Sequence, residues 1–263
     1  RRSIIDPRTW AMVFQQQDVS SDAIFHREAV LGSVSGMRAP GPIIKGAPGH
    51  PDIAGIPYII CSMDPAMSGD TFSVAYAGDT TTKKRYVLEA SKMTAPTPAK
   101  IRELIKGWTI KYNPKVWVIE KNAFQGFLTQ DTEVRSFLAT RGVTLSDHFT
   151  GNNKHDAEFG VAAMSHLFEM GLIKLPRAQT ESVKALVAQL ISWQPKLPKG
   201  VKTDIVMALW FAELRCQELV DVATGGLHTK SMFQTRYDRS QQRSITYEDF
   251  RDEAFVSAGS WWR

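Results

Sequence analysis

The chain has 263 residues, of which 43% are hydrophobic and 22% are charged, an ordinary composition for a globular protein with one sizeable core. No apolar run approaches the roughly 18 residues that span a bilayer, and the first residues lack the apolar stretch of a secretory signal. The net charge of +5 and the pI near 9.2 fit a nucleic-acid partner, but they fit a normal solvated surface as well.

Three short β-rich runs are the first predicted elements of the chain. They cover residues 58–63, 71–77 and 85–90, and turn-rich segments with Gly, Pro and Asp separate them. Tight connections between three strands predict an antiparallel meander. The two cysteines, Cys61 and Cys216, have apolar surroundings, which predicts buried free thiols and a reducing compartment.

The spacing of apolar residues then changes to that of helices alternating with strands. Helices are predicted over residues 97–112, 127–140, 156–170, 180–193 and 204–220, strands over 116–119 and 143–149, and a short extended piece over 172–176. The order β-β-β-α-β-α-β-α, with further helices after it, predicts an α/β domain. Its mixed five-stranded sheet has three antiparallel strands and then crossovers, and helices flank it. This order matches the RNase H-like fold.

Two flanking regions differ from this pattern. Residues 26–55 contain many Gly and Pro residues and show no clear periodicity, while residues 221–263 are polar and end in Trp261-Trp262-Arg263. We therefore predict three parts: a linker region at 1–55, the folded domain at 56–220 and a polar C-terminal tail at 221–263.

Three acidic residues stand where the apolar pattern would not place them. Asp64 follows the first strand, Glu120 follows the Val116–Ile119 strand, and Asp204 begins the most hydrophobic helix. The two strands are neighbours in the proposed fold, so the carboxylates are expected to converge, and their repulsion must then be relieved by protons or divalent cations. Oxygen ligands suit Mg²⁺ or Mn²⁺, and two such ions about 4 Å apart cleave phosphodiesters. The pattern predicts a catalytic metal site.

Each carboxylate taken singly also has a simpler interpretation. Asp64 before Pro65 is typical of a turn, Glu120 could form a surface ion pair with Lys121, and Asp204 is typical of a helix N-terminus. Asp70 is a further candidate that could contact a metal directly or through water, or could simply belong to a turn. The basic segment Lys196, Lys199 and Lys202 could hold DNA phosphates or could be a solvated loop.

Three segments resemble the nuclease motifs of the large subunit of viral, tailed-bacteriophage-type terminases. They are residues 60–66 (ICSMDPA, with Asp70 after them), 116–122 (VWVIEKN) and 202–209 (KTDIVMAL). Residues 171–176 are similar to a short extended segment of that family, and residues 10–25 resemble the stretch that joins the packaging ATPase to its nuclease. The resemblance covers roughly residues 9–220.

The resemblance implies an endonuclease that cuts concatemeric double-stranded viral DNA during genome packaging. Asp64, Glu120 and Asp204 would then be catalytic and would bind Mg²⁺ or Mn²⁺, while Lys154 matches a lysine often seen before the third helix of the domain. The arginine that frequently follows that lysine is replaced by Ala157, and Thr203 stands where the third motif commonly has a second acidic residue. The implied partners are DNA, a linked ATPase domain, the portal and the small terminase subunit, in the host cytoplasm.

The chain contains no G-x-x-x-x-G-K-[ST] phosphate loop, which predicts that it does not hydrolyse ATP. Together with the missing initial Met, this favours the C-terminal nuclease part of a longer protein. Other RNase H-like nucleases of the resolvase or recombinase type remain alternatives. So does a non-cutting nucleic-acid-binding or portal-docking module, in which the loss of one carboxylate would be expected.

Overall fold

The computed structural model describes residues 24–51, 53, 57–66, 69–120, 131–150, 154, 160–194 and 204–223, with side chains up to residue 218. Its contacts divide the chain into two units, Arg1–Val220 and Asp221–Arg263, and the fold described below is that of the first. The predicted boundaries at 55 and 220 and the polar tail stay predictions. Among the described residues, no helix is long and apolar enough to cross a membrane.

The described elements follow the predicted order closely. The strands are β1 (Tyr58–Asp64), β2 (Asp70–Gly78), β3 (Arg85–Thr94), β4 (Val116–Glu120), β5 (Thr144–His148) and β6 (Ile173–Lys174). The helices are α1 (Arg27–Ser33), α2 (Pro98–Tyr112), α3 (Thr132–Ala139), α4 (Met164–Glu169), α5 (Glu181–Ser192) and α6 (Asp204–Ala223), with a 3₁₀ turn at Val161–Ala163 before α4. The first parts of two predicted helices, residues 127–130 and 156–159, lie outside the described residues.

Helix ends follow from local chemistry. Thr97 caps α2 by accepting a hydrogen bond from the Lys100 amide, with Pro98 at the first helical position, and Asn113 ends the helix at φ 46°. Asp131 caps α3 in the same way, accepting from the amides of Glu133 and Val134.

One mixed sheet organises the domain, with strand order β5-β4-β1-β2-β3-β6. The pairs β1–β2 and β2–β3 are antiparallel, as predicted, and β1–β4, β4–β5 and β3–β6 are parallel. The predicted RNase H-like fold is confirmed, but the number of strands was one too low. The segment at 172–176 contributes β6, which is only two residues long and therefore too short for a periodic signal.

The two faces of the sheet bury separate clusters of apolar side chains. On one face β-strand residues such as Ile60, Val74 and Val118 pack with α4, α5 and α6. On the other, Met63, Trp117 and their neighbours pack with α2 and α3. Cys61 and Cys216 are buried free thiols, which confirms that prediction.

Part of the predicted linker region is built into this fold. Phe25 and Val30 of the α1 region are fully buried in the cluster with α4 and α5. Val34 pairs with Leu175, and the buried Arg38 guanidinium donates to the carbonyl of Val87 on β3 at 2.9 Å. Residues 24–38 thus add to the apolar cluster with α4 and α5 and pair with the chain next to β6. Their pattern could not be read from the sequence because the helix has only seven residues.

Candidate active site at the carboxyl ends of β1 and β4

The register of the sheet brings two of the predicted acidic residues side by side. β1 and β4 are parallel neighbours paired up to Met63 and Ile119, so Asp64 and Glu120 are the next residues on adjacent strands. Residues paired in this way project from the same face of the sheet. Here that is the face covered by α6, since Ser62 and Val118, two residues earlier, lie on it.

Helix α6 brings the third acidic residue to the same place. The Ser62 hydroxyl donates to the Ala208 carbonyl at 2.6 Å, and the Tyr76 hydroxyl donates to Glu213 at 2.7 Å. α6 therefore runs antiparallel to β1. Asp204 lies one helical turn, about 6 Å, before Ala208. Asp64 lies two strand residues, about 7 Å, beyond Ser62, so the two carboxylates reach the same level.

The pKa of Asp64 reflects its closeness to the other two carboxylates. Burial is the largest cause that raises the pKa of Asp64, to about 9, and the charge of Glu120, a hydrogen bond with Glu120 and the charge of Asp204 raise it further. Asp64 is therefore protonated far more readily than an ordinary aspartate, and its side chain is hydrogen-bonded with Glu120. Glu120 itself is only 7% exposed, which is unusual for an acidic residue unless something pairs with it.

The three carboxylates do not lie close enough together to bind one ion jointly. Among the described residues, no three Asp, Glu, His or Cys side chains are grouped closely enough to hold an ion as they stand. The close pair is Asp64 and Glu120, and Asp204 acts on Asp64 through its charge. A set of carboxylate oxygens in which crowding raises the pKa of one member suits a hard divalent cation, which would neutralise the charge in place of a proton.

Asp70 lies at the same edge of the sheet but contacts β3. One carboxylate oxygen is 3.1 Å from Nζ of Lys92, and the other accepts a hydrogen bond from the Thr94 hydroxyl at 2.9 Å. Its role as a metal ligand stays a prediction. Of the predicted DNA-binding lysines, Lys154 is described and partly buried, whereas Lys196, Lys199 and Lys202 lie outside the described residues.

Two polar residues near the carboxylates were not predicted. His148 ends β5 and pairs with Glu120, and its ring packs on Trp210 and Phe211 of α6 at centroid distances of 5.1 and 4.9 Å. Burial lowers the pKa of His148 to about 4, so the imidazole is neutral at pH 7. Lys92 is the other. Its position near the carboxylates could not be predicted, because the alternation of β3 does not reveal which residue of β2 is opposite Lys92.

The sheet order and the carboxylates at the ends of β1 and β4 define an RNase H-like domain. The profile of the terminase RNase H-like domain family matches residues 61–193, half of the chain, and the chain belongs to that family. This confirms the resemblance found in the three motifs.

Solved structures of the same kind are similar to this chain at low identity. The nuclease domain of the large terminase subunit gp2 of bacterial virus Sf6 is 10% identical, with a TM-score of 0.49 over 74% of this chain and 97% of that one. The large terminase nuclease from thermophilic phage G20c with bound magnesium is 13% identical, with a TM-score of 0.49 over 75% and 99%. No curated protein sequence matches the chain. The family assignment rests on the family profile.

Proposed function

We propose that this domain is a divalent-metal-dependent endonuclease that cuts concatemeric double-stranded viral DNA during genome packaging. The observation that carries the proposal is that Asp64 and Glu120 end adjacent parallel strands on the face covered by α6, whose first residue is Asp204, and that the charges of Glu120 and Asp204 both raise the pKa of Asp64. Neutralising charge is needed where three carboxylates meet, and a protein that only bound DNA would gain nothing from placing them together on a surface meant for phosphates.

Asp64, Glu120 and Asp204 would hold the cations, which we expect to be Mg²⁺ or Mn²⁺ and to number two. Bound there, such ions supply an activated water and stabilise the leaving oxygen of the phosphodiester. The chain's own part is to fix the donors. Asp64 and Glu120 are held at strand ends. A cation would take the place of the proton that the raised pKa of Asp64 favours, and the packing of α6 on the sheet positions Asp204.

The wider assignment follows from the family. We propose that DNA lies across the edge of the sheet where β1 and β4 end, that Lys154, Lys196, Lys199 and Lys202 contact its phosphates, and that Asp70 assists the metal site. A linked ATPase domain, the portal and the small terminase subunit are the proposed partners in the larger terminase assembly. The proposed location is the host cell cytoplasm, outside the mature virion.

The decisive experiment is a cleavage assay on plasmid DNA and on a linear duplex, with Mg²⁺, with Mn²⁺, with Ca²⁺ and with a chelator. We expect cutting with Mg²⁺ or Mn²⁺ and none with the chelator. Ca²⁺ should bind without supporting the reaction, because its looser geometry positions water poorly. Cutting at full rate in chelator would reject the metal site. No cutting under any condition, with DNA still bound, would instead favour a non-cutting binding module.

A further inference from the structure

A row of directly opposed residues on neighbouring strands extends from the candidate site to β3, which lies outside the three sequence motifs. Asp64 on β1 is directly opposite Phe72 on β2, and Phe72 is directly opposite Lys92 on β3. Directly opposed residues project from the same face of a sheet. With Glu120 beside Asp64 and His148 beside Glu120, the row reads Lys92, Phe72, Asp64, Glu120, His148 across five strands.

Lys92 is held in this row by two contacts. Its ammonium nitrogen lies 3.1 Å from Asp70 and 5.9 Å from the centre of the Phe72 ring. Asp70 is 9% exposed and is itself fixed by the Thr94 hydroxyl. The Lys92 side chain nevertheless remains 41% exposed. A lysine that is both ordered and accessible loses little side-chain entropy when it meets an anion.

The spacing decides which anion Lys92 would meet. Lys92 is two strands from Asp64, or roughly 10 Å at the usual spacing of strands. That is too far for contact with a phosphate held at Asp64 and Glu120. It suits the next phosphate along the same DNA strand, because the negative charges of a nucleic acid follow one another at short, regular intervals.

We propose that Lys92, oriented by Asp70, is a positioning residue that binds the DNA phosphate adjacent to the one at the carboxylates. This rests on the proposed nuclease function and deepens it by fixing the direction in which the cut strand crosses the sheet, from β4 towards β3. It also gives Asp70 a role through Lys92, in which the carboxylate keeps the ammonium aimed along the row.

The test compares Lys92→Met with Lys92→Arg and with Lys111→Met as a matched control. Lys111 has the same side-chain exposure, 42%, and pairs with Glu89 of β3 at 2.6 Å, but on the face where α2 packs. Affinity for a 30-base-pair duplex is measured in chelator at several salt concentrations. Thermal unfolding of each variant shows that it is folded.

We expect Lys92→Met to lower affinity by roughly tenfold at 0.1 M salt and to reduce the slope of log affinity against log salt by about one. Lys92→Arg should keep the parent slope, and so should Lys111→Met. In a Mn²⁺ cleavage assay, Lys92→Met should raise KM more than it lowers kcat, because a contact present before and during the reaction is lost.

An unchanged slope for Lys92→Met would overturn the inference and leave the Lys92–Asp70 pair a purely structural contact, as would an equal loss for Lys111→Met. These outcomes differ from failure of the proposed nuclease. The salt series needs no cutting, so an inactive parent protein would reject the nuclease while the Lys92 contact to DNA was still measured.

Discussion

Two positions along α6 differ in how buried charge is arranged. At residue 213, near the middle of the helix, the Glu213 carboxylate is 3% exposed and accepts hydrogen bonds from the Arg85 guanidinium at 3.1 Å and the Tyr76 hydroxyl at 2.7 Å. At the first residue of the helix, the charge of Asp204 acts on Asp64 together with that of Glu120, and both raise the pKa of Asp64. Both positions face the same side of the sheet.

The contrast separates a position that supports the fold from one suited to binding a cation. Burial alone would lower the pKa of Arg85, but the charges of Glu213, Cys216 and Tyr76 and the hydrogen bond with Glu213 together raise it, so the guanidinium stays charged. An ion pair of this kind fixes the helix. At the N-terminus of α6 the like charges of the carboxylates repel, and a proton or a divalent cation would relieve that repulsion, which is the condition expected of a site that takes up metal.

The largest losses of activity are expected from the three carboxylates near the N-terminus of α6. Asp64→Asn, Glu120→Gln and Asp204→Asn should each lower the cleavage rate by about 100-fold or more, the scale of removing one charge-stabilising group from an active site. Rates are measured on linear duplex with Mn²⁺. Asp147→Asn is the matched control, because Asp147 is exposed at the same edge and faces Ile119, not Glu120.

Near-parental cutting by any one of the three carboxylate variants would remove that residue from the site. An equal loss for Asp147→Asn would mean that charge anywhere along this edge matters, not the cluster itself.

Glu213 should affect stability instead. Glu213→Ala removes the buried carboxylate that accepts from Arg85 and from the Tyr76 hydroxyl, so the free energy of unfolding should fall by about 3–5 kcal/mol. Urea unfolding measures this. Glu133→Ala breaks the exposed pair with Lys106 and a longer contact with Arg102 at 3.8 Å, and the fall should stay below about 1 kcal/mol. Comparable losses in the two variants would show that Glu213 does not hold α6 on the sheet.

The raised pKa of Asp64 predicts how the site affects stability as pH changes. Its pKa is about 9 in the folded protein and near 3.8 ordinarily, so between these values the folded state binds a proton that the unfolded state has lost. Stability should therefore fall as pH rises from about 4 to about 9 in chelator. Asp64→Asn should be more stable than the parent at pH 8, by roughly 1–2 kcal/mol.

Unfolding in urea at pH 6 and pH 8, with chelator and with saturating Mn²⁺, checks this prediction. The advantage of Asp64→Asn should disappear with Mn²⁺, since the cation stabilises only the parent site. A parent protein that is equally stable at both pH values in chelator would contradict the assigned coupling of the carboxylates.

The last prediction concerns DNA binding by the lysines that precede Asp204 in the sequence. Replacing Lys196, Lys199 and Lys202 together with Ala should weaken binding similarly across unrelated duplexes. It should also lower the salt slope by up to about three, one for each lost phosphate contact. If the triple variant keeps the salt slope of the parent, these lysines do not contact DNA. Comparing its slope with that of Lys92→Met would show which group of lysines contributes more to DNA binding.

Local patterns in the sequence were enough to predict the order of elements and the position of the carboxylates at strand ends. Apolar runs and turn residues are local signals, so β1 to β5 and the helix beginning at Asp204 were predicted from short stretches. Parallel pairing of β1 with β4 then followed from the element order, and with it the meeting of Asp64 and Glu120.

Contacts between residues far apart in the sequence hold that site together and determine which residues border it. Glu213 meets Arg85 from 128 residues away, and Ser62 meets Ala208 from 146 residues away. Lys92 enters the row of Asp64 through a register fixed by two hairpins and a bulge after Ala75. A shift of one residue would move Lys92 to the other face, and no local pattern of the sequence specifies such a register.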